Sequence, residues 1–162
     1  MDKGIYTLVL ELSKDRMILV GSLGALSFAK GFYAYTGSAR GPGGFKRLMR
    51  HLRIIQGVNM TKKWHIDYLT PLARFHGSVI TFTDQNLECQ VASRIGAHLA
   101  QIRDFGCTDC LCSTHLHYST DLNKTLDIVK HAHQESARNL KSILDTDTIR
   151  NIAKSIKLKG SM

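Results

Sequence analysis

The residues best suited to chemistry fall in a few short groups. Arg47 and His51 are four apart in a segment of helical periodicity, so they project from one flank of it, while Lys46, Arg50 and Arg53 project from the other. Such a face suits an anionic partner, and it is also the ordinary look of a solvated helix. Glu88 falls in the first turn of a later helix, on the buried side with Ala92, Ile95 and Leu99. A lone acid aimed at a core needs a cation, although the helix dipole by itself also favours an acid there. Gly41-Pro42-Gly43-Gly44 opens the earlier helix, and its free N–H groups form either a phosphate cradle or a plain glycine turn. Two tyrosines stand beside glycines in strand-like segments, Gly4-Ile5-Tyr6 and Tyr35-Thr36-Gly37; each taken singly reads as a cross-strand packing residue. Cys107-x-x-Cys110-x-Cys112-x-x-His115-x-His117 sets three thiols and two imidazoles within eleven residues, enough donors for a tetrahedral zinc, and Cys89 could replace one of them. Because this is no standard finger spacing, structural zinc stands level with reduced thiols or a disulfide in a surface loop.

These groups need a scaffold. Gly4–Leu12 is rich in β-branched and aromatic residues, and Lys14-Asp15 reads as a turn into Met17–Val20, which predicts a hairpin. A further strand, Gly31–Gly37, completes a small N-terminal antiparallel sheet. Phe45, Leu48, Met49 and Leu52 mark an amphipathic helix after the glycines, and Lys63–Leu69, stopped by Pro71, reads as a helical turn. Val79–Thr83 is another strand. Asp84 or Asn86 can cap the next helix, whose apolar positions are Leu87, Val91, Ile95, Leu99 and Ile102. A Cys- and His-rich loop over 103–120 follows, with a short strand near His115 to Tyr118. A long helix runs from Asp121 to Leu144 and a last one from about Thr146 to Lys157. The expected fold class is α/β: a small antiparallel or mixed sheet flanked by helices, with extra C-terminal helices over 121–158.

At 162 residues and 43% hydrophobic, the chain is long enough for one core and short for two, so a single domain over 1–162 is expected. The formal charge of +9 attracts polyanions, nucleic acid first and an anionic membrane surface second. No leader pattern opens the sequence and no apolar run approaches the roughly 18 residues of a membrane span, so a soluble, cytoplasmic protein is expected.

The order of the motifs is more specific than any one of them. Gly4-Ile5-Tyr6 on a first strand, Tyr35-x-Gly37 on a later one, Arg47-x-x-x-His51 on the following helix and Glu88 on the helix after the next strand resemble the GIY-YIG nuclease superfamily, over roughly residues 4–100. A distant similarity is to the N-terminal nuclease domain of the bacterial excision-repair incision enzyme. The phrases Tyr35–Gly44, Arg47-Leu48-x-Arg50-His51-Leu52-Arg53, Trp64–Leu69 and Asp109-Cys110-x-Cys112 look like a largely archaeal and bacterial GIY-YIG-like subgroup, sometimes fused to base-excision glycosylases. The sequence departs from the excision-repair pattern in a longer gap between the two tyrosine motifs and in Ser38, where that relative has Lys; Arg40 would supply the missing cation.

The resemblance implies a metal-dependent endonuclease acting on phosphodiester bonds, DNA ahead of RNA, with a place in DNA repair. Its alternative is a nucleic-acid-binding module of the same fold that has lost the chemistry, stabilised by zinc. By the resemblance, Glu88 is the single protein ligand of Mg2+ or Mn2+, and Arg47 binds a non-bridging oxygen of the scissile phosphate. Tyr35 acts as general base or relay, held by Tyr6 and His51, with His51 the alternative base; a phenol can do this only if neighbouring cations lower its pKa. Arg40, Gly43, Gly44, Lys46, Arg50, Arg53, Lys62 and Lys63 would hold flanking phosphates. Trp64 could stack on an unpaired base or simply fill core, and His65 and Asp67 read as support for the fold.

Overall fold

The computed structural model describes residues 3–58, 60–107, 110, 112–137 and 143–144. Its organising element is β1 (Gly4–Leu12), in which every residue but Glu11 is buried. A strand that is apolar on both faces belongs at the centre of a sheet with both faces covered. It pairs antiparallel with β4 (Gly31–Ser38) on one side and β5 (Arg74–Phe82) on the other. β7 (Leu116–Ser119) extends the sheet beyond β4, β6 (Ala100–Ile102) lies outside β7, and β8 (Ile143–Leu144) borders β5, giving the order β6-β7-β4-β1-β5-β8. β2 (Arg16–Leu19) and β3 (Ala25–Phe28) form a separate hairpin.

The two-residue period of the central strands sorts side chains to two faces. Tyr6, Leu8, Leu10, Tyr33 and Tyr35 pack with Leu48 and Leu52 of α1 (Lys46–Ile55), with Ile66 and Leu69 of α2 (Ile66–Leu69), and with Phe105. Ile5, Val9, Ala34 and Val79 pack with Val91 and Ile95 of α3 (Glu88–Gly96) and with Val129 and Ala132 of α4 (Leu122–Ser136). The register Leu8↔Tyr35 puts Tyr6 and Tyr35 on the face that α1 covers. Among the described residues, no helix is long and apolar enough to cross a membrane.

The α/β class stands, with several elements redrawn. The Met17–Val20 segment pairs with Ala25–Phe28 and not with the first strand, whose two edges are taken by β4 and β5. The helix expected to reach Ile102 ends at Gly96, and Ala100–Ile102 is a strand. Leu99 and Ile102 fit helical spacing but belong to opposite cores, which a single helical stripe would not allow. Neither Asp84 nor Asn86 caps α3: its N-cap is Leu87, which makes no side-chain capping bond. α4 stops at Ser136, short of Leu144, which lies in β8. α4 is capped by Asp121 and closes the second face with Val129 and Ala132. The helix expected over 146–157 lies outside the described residues.

Candidate active site and metal centre

A buried polar chain runs from the sheet into α1 and α2. Tyr6 and His51 are fully buried, and the Tyr6 hydroxyl lies 2.8 Å from His51 Nε2. His51 Nδ1 faces Asp67 Oδ1 at 3.5 Å, too long for a good hydrogen bond, so the contact is electrostatic. Asp67 Oδ2 accepts bonds from the backbone N–H groups of Lys63 and Trp64 and from the Arg50 guanidinium, at 2.7, 2.9 and 2.8 Å. One carboxylate thereby fixes the start of α2 against α1. Gly37 is explained by Tyr6: a Cβ there would lie 2.5 Å from the phenol, so the second motif needs glycine for the first motif's ring to fit.

In front of this chain lies a pocket of about 220 Å³ lined by Tyr35, Arg47, Lys63, Trp64, His65, Glu88 and Gly106. It brings Tyr35 from the sheet, Arg47 from α1 and Glu88 from the first turn of α3 to one opening. Arg47 donates to the Ser38 carbonyl at 3.1 Å, and His65 Nδ1 accepts from Gly106 N–H at 3.1 Å. Beside the pocket a groove of about 270 Å³ shares Arg47, Lys63 and Trp64 with it and adds Ser38, Gly41, Gly43, Gly44, Lys46 and Arg50. Three cations surround the Trp64 ring: Arg47, Arg50 and Lys63 at 4.7, 4.6 and 4.8 Å from its centroid.

Several expected contacts change. Arg40 turns away from the groove and donates to the Asp84 carbonyl at 2.8 Å, so it does not supply the cation expected beside Ser38. Arg53 is exposed on α1 and lines neither opening. In the glycine loop, Gly44 N–H bonds the Gly41 carbonyl and Lys46 N–H the Gly43 carbonyl, so the turn itself uses part of the expected cradle. Tyr6 supports the site from behind, since it is fully buried and does not line the pocket.

The electrostatics also differ from expectation. Burial, and then Glu88, push the Tyr35 phenol well above its ordinary range, outweighing Arg47. Tyr6 is raised by burial and by Tyr35. The phenols are therefore protonated at neutral pH. Burial pulls His51 below its ordinary value despite Asp67. A neutral His51 with its proton on Nδ1, facing the carboxylate, leaves Nε2 to accept from Tyr6. Burial opposes the charge on Asp67, but His51, the two backbone N–H groups and Arg50 hold the carboxyl down at about 2.

Next to the pocket, Cys89, Cys110, Cys112 and His115 bring their donor atoms within 4.8 Å of one another, a set that could hold a metal ion such as zinc. Cys107 is not one of the four. Its thiol faces the Phe105 carbonyl at 3.5 Å, and His117, buried in β7, is also outside the set. His115 joins the cluster to the pocket, with Nδ1 3.0 Å from Glu88 Oε1. Sequence spacing suggested the cysteines. It marks Asp67 only as support for the fold, not as the hub of the α1–α2 junction, and gives no sign of Gly106 in the pocket wall, because both placements depend on contacts between distant segments.

A family model described as a domain of unknown function, DUF123, matches residues 5–138. The chain belongs to this family. The match takes in β1 through α4 and so includes the pocket, the groove and the Cys3His cluster. No curated protein and no solved structure matches the chain.

Proposed function

We propose that the chain is a metal-dependent endonuclease of the GIY-YIG type that hydrolyses phosphodiester bonds in nucleic acid, DNA ahead of RNA. The observation that carries this reading is the convergence of Tyr35, Arg47 and Glu88, from three separate elements, on one small pocket that opens beside a cationic groove. The donor set suits a hydrated hard cation: Glu88 has one oxygen engaged by His115 and is partly exposed to the pocket. Mg2+ or Mn2+ held by Glu88 would supply Lewis-acid stabilisation of the leaving oxygen.

The chain's own residues do the rest. Arg47 and Lys63 bind non-bridging oxygens of the scissile phosphate, neutralising charge that grows in the transition state. Tyr35, protonated at rest, orients the attacking water through its hydroxyl and can accept a proton only after added positive charge offsets Glu88. The Asp67–His51–Tyr6 chain holds its surroundings rigid: the His51 ring meets Tyr35 edge-on at 6.0 Å. Lys46 and Trp64 engage the flanking strand, the lysine by charge and the indole by stacking. DNA repair is the biological setting this reading favours.

The test is cleavage of labelled duplex, single-stranded, abasic and branched DNA, and of RNA, with Mg2+, Mn2+ or EDTA, by the wild type and Glu88→Gln. Metal-dependent cutting that disappears in Glu88→Gln is expected. Binding without cutting would leave a nucleic-acid-binding module, the reading that Ser38 and the diverted Arg40 favour; neither binding nor cutting would remove both.

A further inference from the structure

We propose that Cys89, Cys110, Cys112 and His115 bind a structural zinc ion, and that zinc aims the pocket carboxylate by fixing the imidazole that bridges it to Glu88. His115 is almost fully buried, and its two nitrogens face opposite ways. Nε2 points into the thiols, 2.7 Å from Cys112 Sγ, 3.3 Å from Cys110 and 3.9 Å from Cys89, while Nδ1 points at Glu88. The thiols themselves lie 2.7 Å (Cys89 to Cys112) and 3.1 Å (Cys110 to Cys112) apart. These separations exceed the roughly 2.05 Å of a disulfide, and all the cysteines are free thiols. Three sulfurs and one nitrogen are a tetrahedral zinc set, and opening the cluster by about 1 Å accommodates Zn–S bonds of about 2.3 Å. The ligands come from α3 and from the loop before β7, so zinc would tie that loop to the helix that carries Glu88.

The coupling follows from the imidazole's valence. With Nε2 on zinc, the ring proton must sit on Nδ1, where it is donated to Glu88 Oε1; the other oxygen is left for the pocket. Carboxylate, histidine and zinc in this order form a mutually supporting triad. Without zinc the ring loses its anchor at Nε2, and its contact with Glu88 alone fixes its orientation. The zinc site stands without the nuclease reading, whereas its effect on a catalytic cation rests on it.

The experiment is metal analysis of the purified full chain, followed by cobalt substitution and Mn2+ titration. One zinc per chain should persist through EDTA, and Co2+ should give thiolate charge-transfer bands with the intense d–d bands of a tetrahedral site. Cys112→Ser should lose both, and Cys107→Ser should keep both. Glu88→Gln should still bind zinc, with shifted cobalt d–d bands and a zinc affinity lower by about 10–100-fold. Zinc-free protein that remains folded by circular dichroism should bind Mn2+ more weakly by a similar factor. Absence of zinc and of the cobalt–thiolate spectrum in the wild type would overturn the site. Unchanged cobalt bands and zinc affinity in Glu88→Gln would overturn the coupling. Both readouts are independent of whether nucleic acid is cut.

Discussion

Replacing Asp67 with Asn tests whether the α1–α2 junction is held by charge. The carboxyl is fully buried and held at about 2, against an ordinary value of 3.8. A carboxyl depressed on folding adds stability that is fully present above its unfolded pKa and is lost as pH falls through the folded one. At 1.36 kcal/mol per unit, Asp67 contributes about 2 kcal/mol at neutral pH, and about half of that survives at pH 3. Asp67→Asn keeps the shape and removes the charge. Urea unfolding of both proteins between pH 7 and pH 3 should show a stability gap that narrows by about 1 kcal/mol over the acid end. A gap that stays constant across that range would refute the argument, because the substitution would then be acting through packing or hydrogen-bond geometry alone.

Gly37→Ala should destabilise the protein by about 2 kcal/mol or more, read as a fall in Tm, because the new methyl group meets the Tyr6 ring at 2.5 Å; a neutral substitution would mean that the ring can move. The nucleic-acid affinity of Lys46→Ala should depend less steeply on salt, with the log–log slope reduced by about 1, while Arg53→Ala, outside both openings, should leave the slope unchanged. Equal effects of the two would deny the groove its place in binding.

Local pattern was enough for what local pattern controls. The stripe Phe45, Leu48, Met49, Leu52 fixes α1 and so the shared flank of Arg47 and His51, and glycine-flanked tyrosines on apolar segments mark two of the central strands. Of the two residues read as support for the fold, His65 also lines the pocket, while Asp67 is buried at the α1–α2 junction. Pairing was less legible. A strand apolar on both faces announces burial but does not name its neighbours, so the nearest segment in sequence is the natural expectation, and the actual partners, β4 and β5, lie further on. Leu99 and Ile102 show the limit of periodicity, since two segments serving different cores can mimic one stripe. The rise of the Tyr35 phenol is not legible in the sequence, because a list of nearby cations does not reveal how completely the ring is enclosed or how close Glu88 lies.

The central place of β1 has a consequence for how the chain comes into being. This strand precedes both of its partners in synthesis, and β5 is completed only about 70 residues further on. At ribosomal speeds of about 5–20 residues per second, β1 waits roughly 4–14 s for its second edge to be covered. For that interval one of the most apolar stretches of the molecule is a half-made sheet, a natural target for holding chaperones. Slower translation between residues 38 and 74 would lengthen that exposure without altering a single native contact.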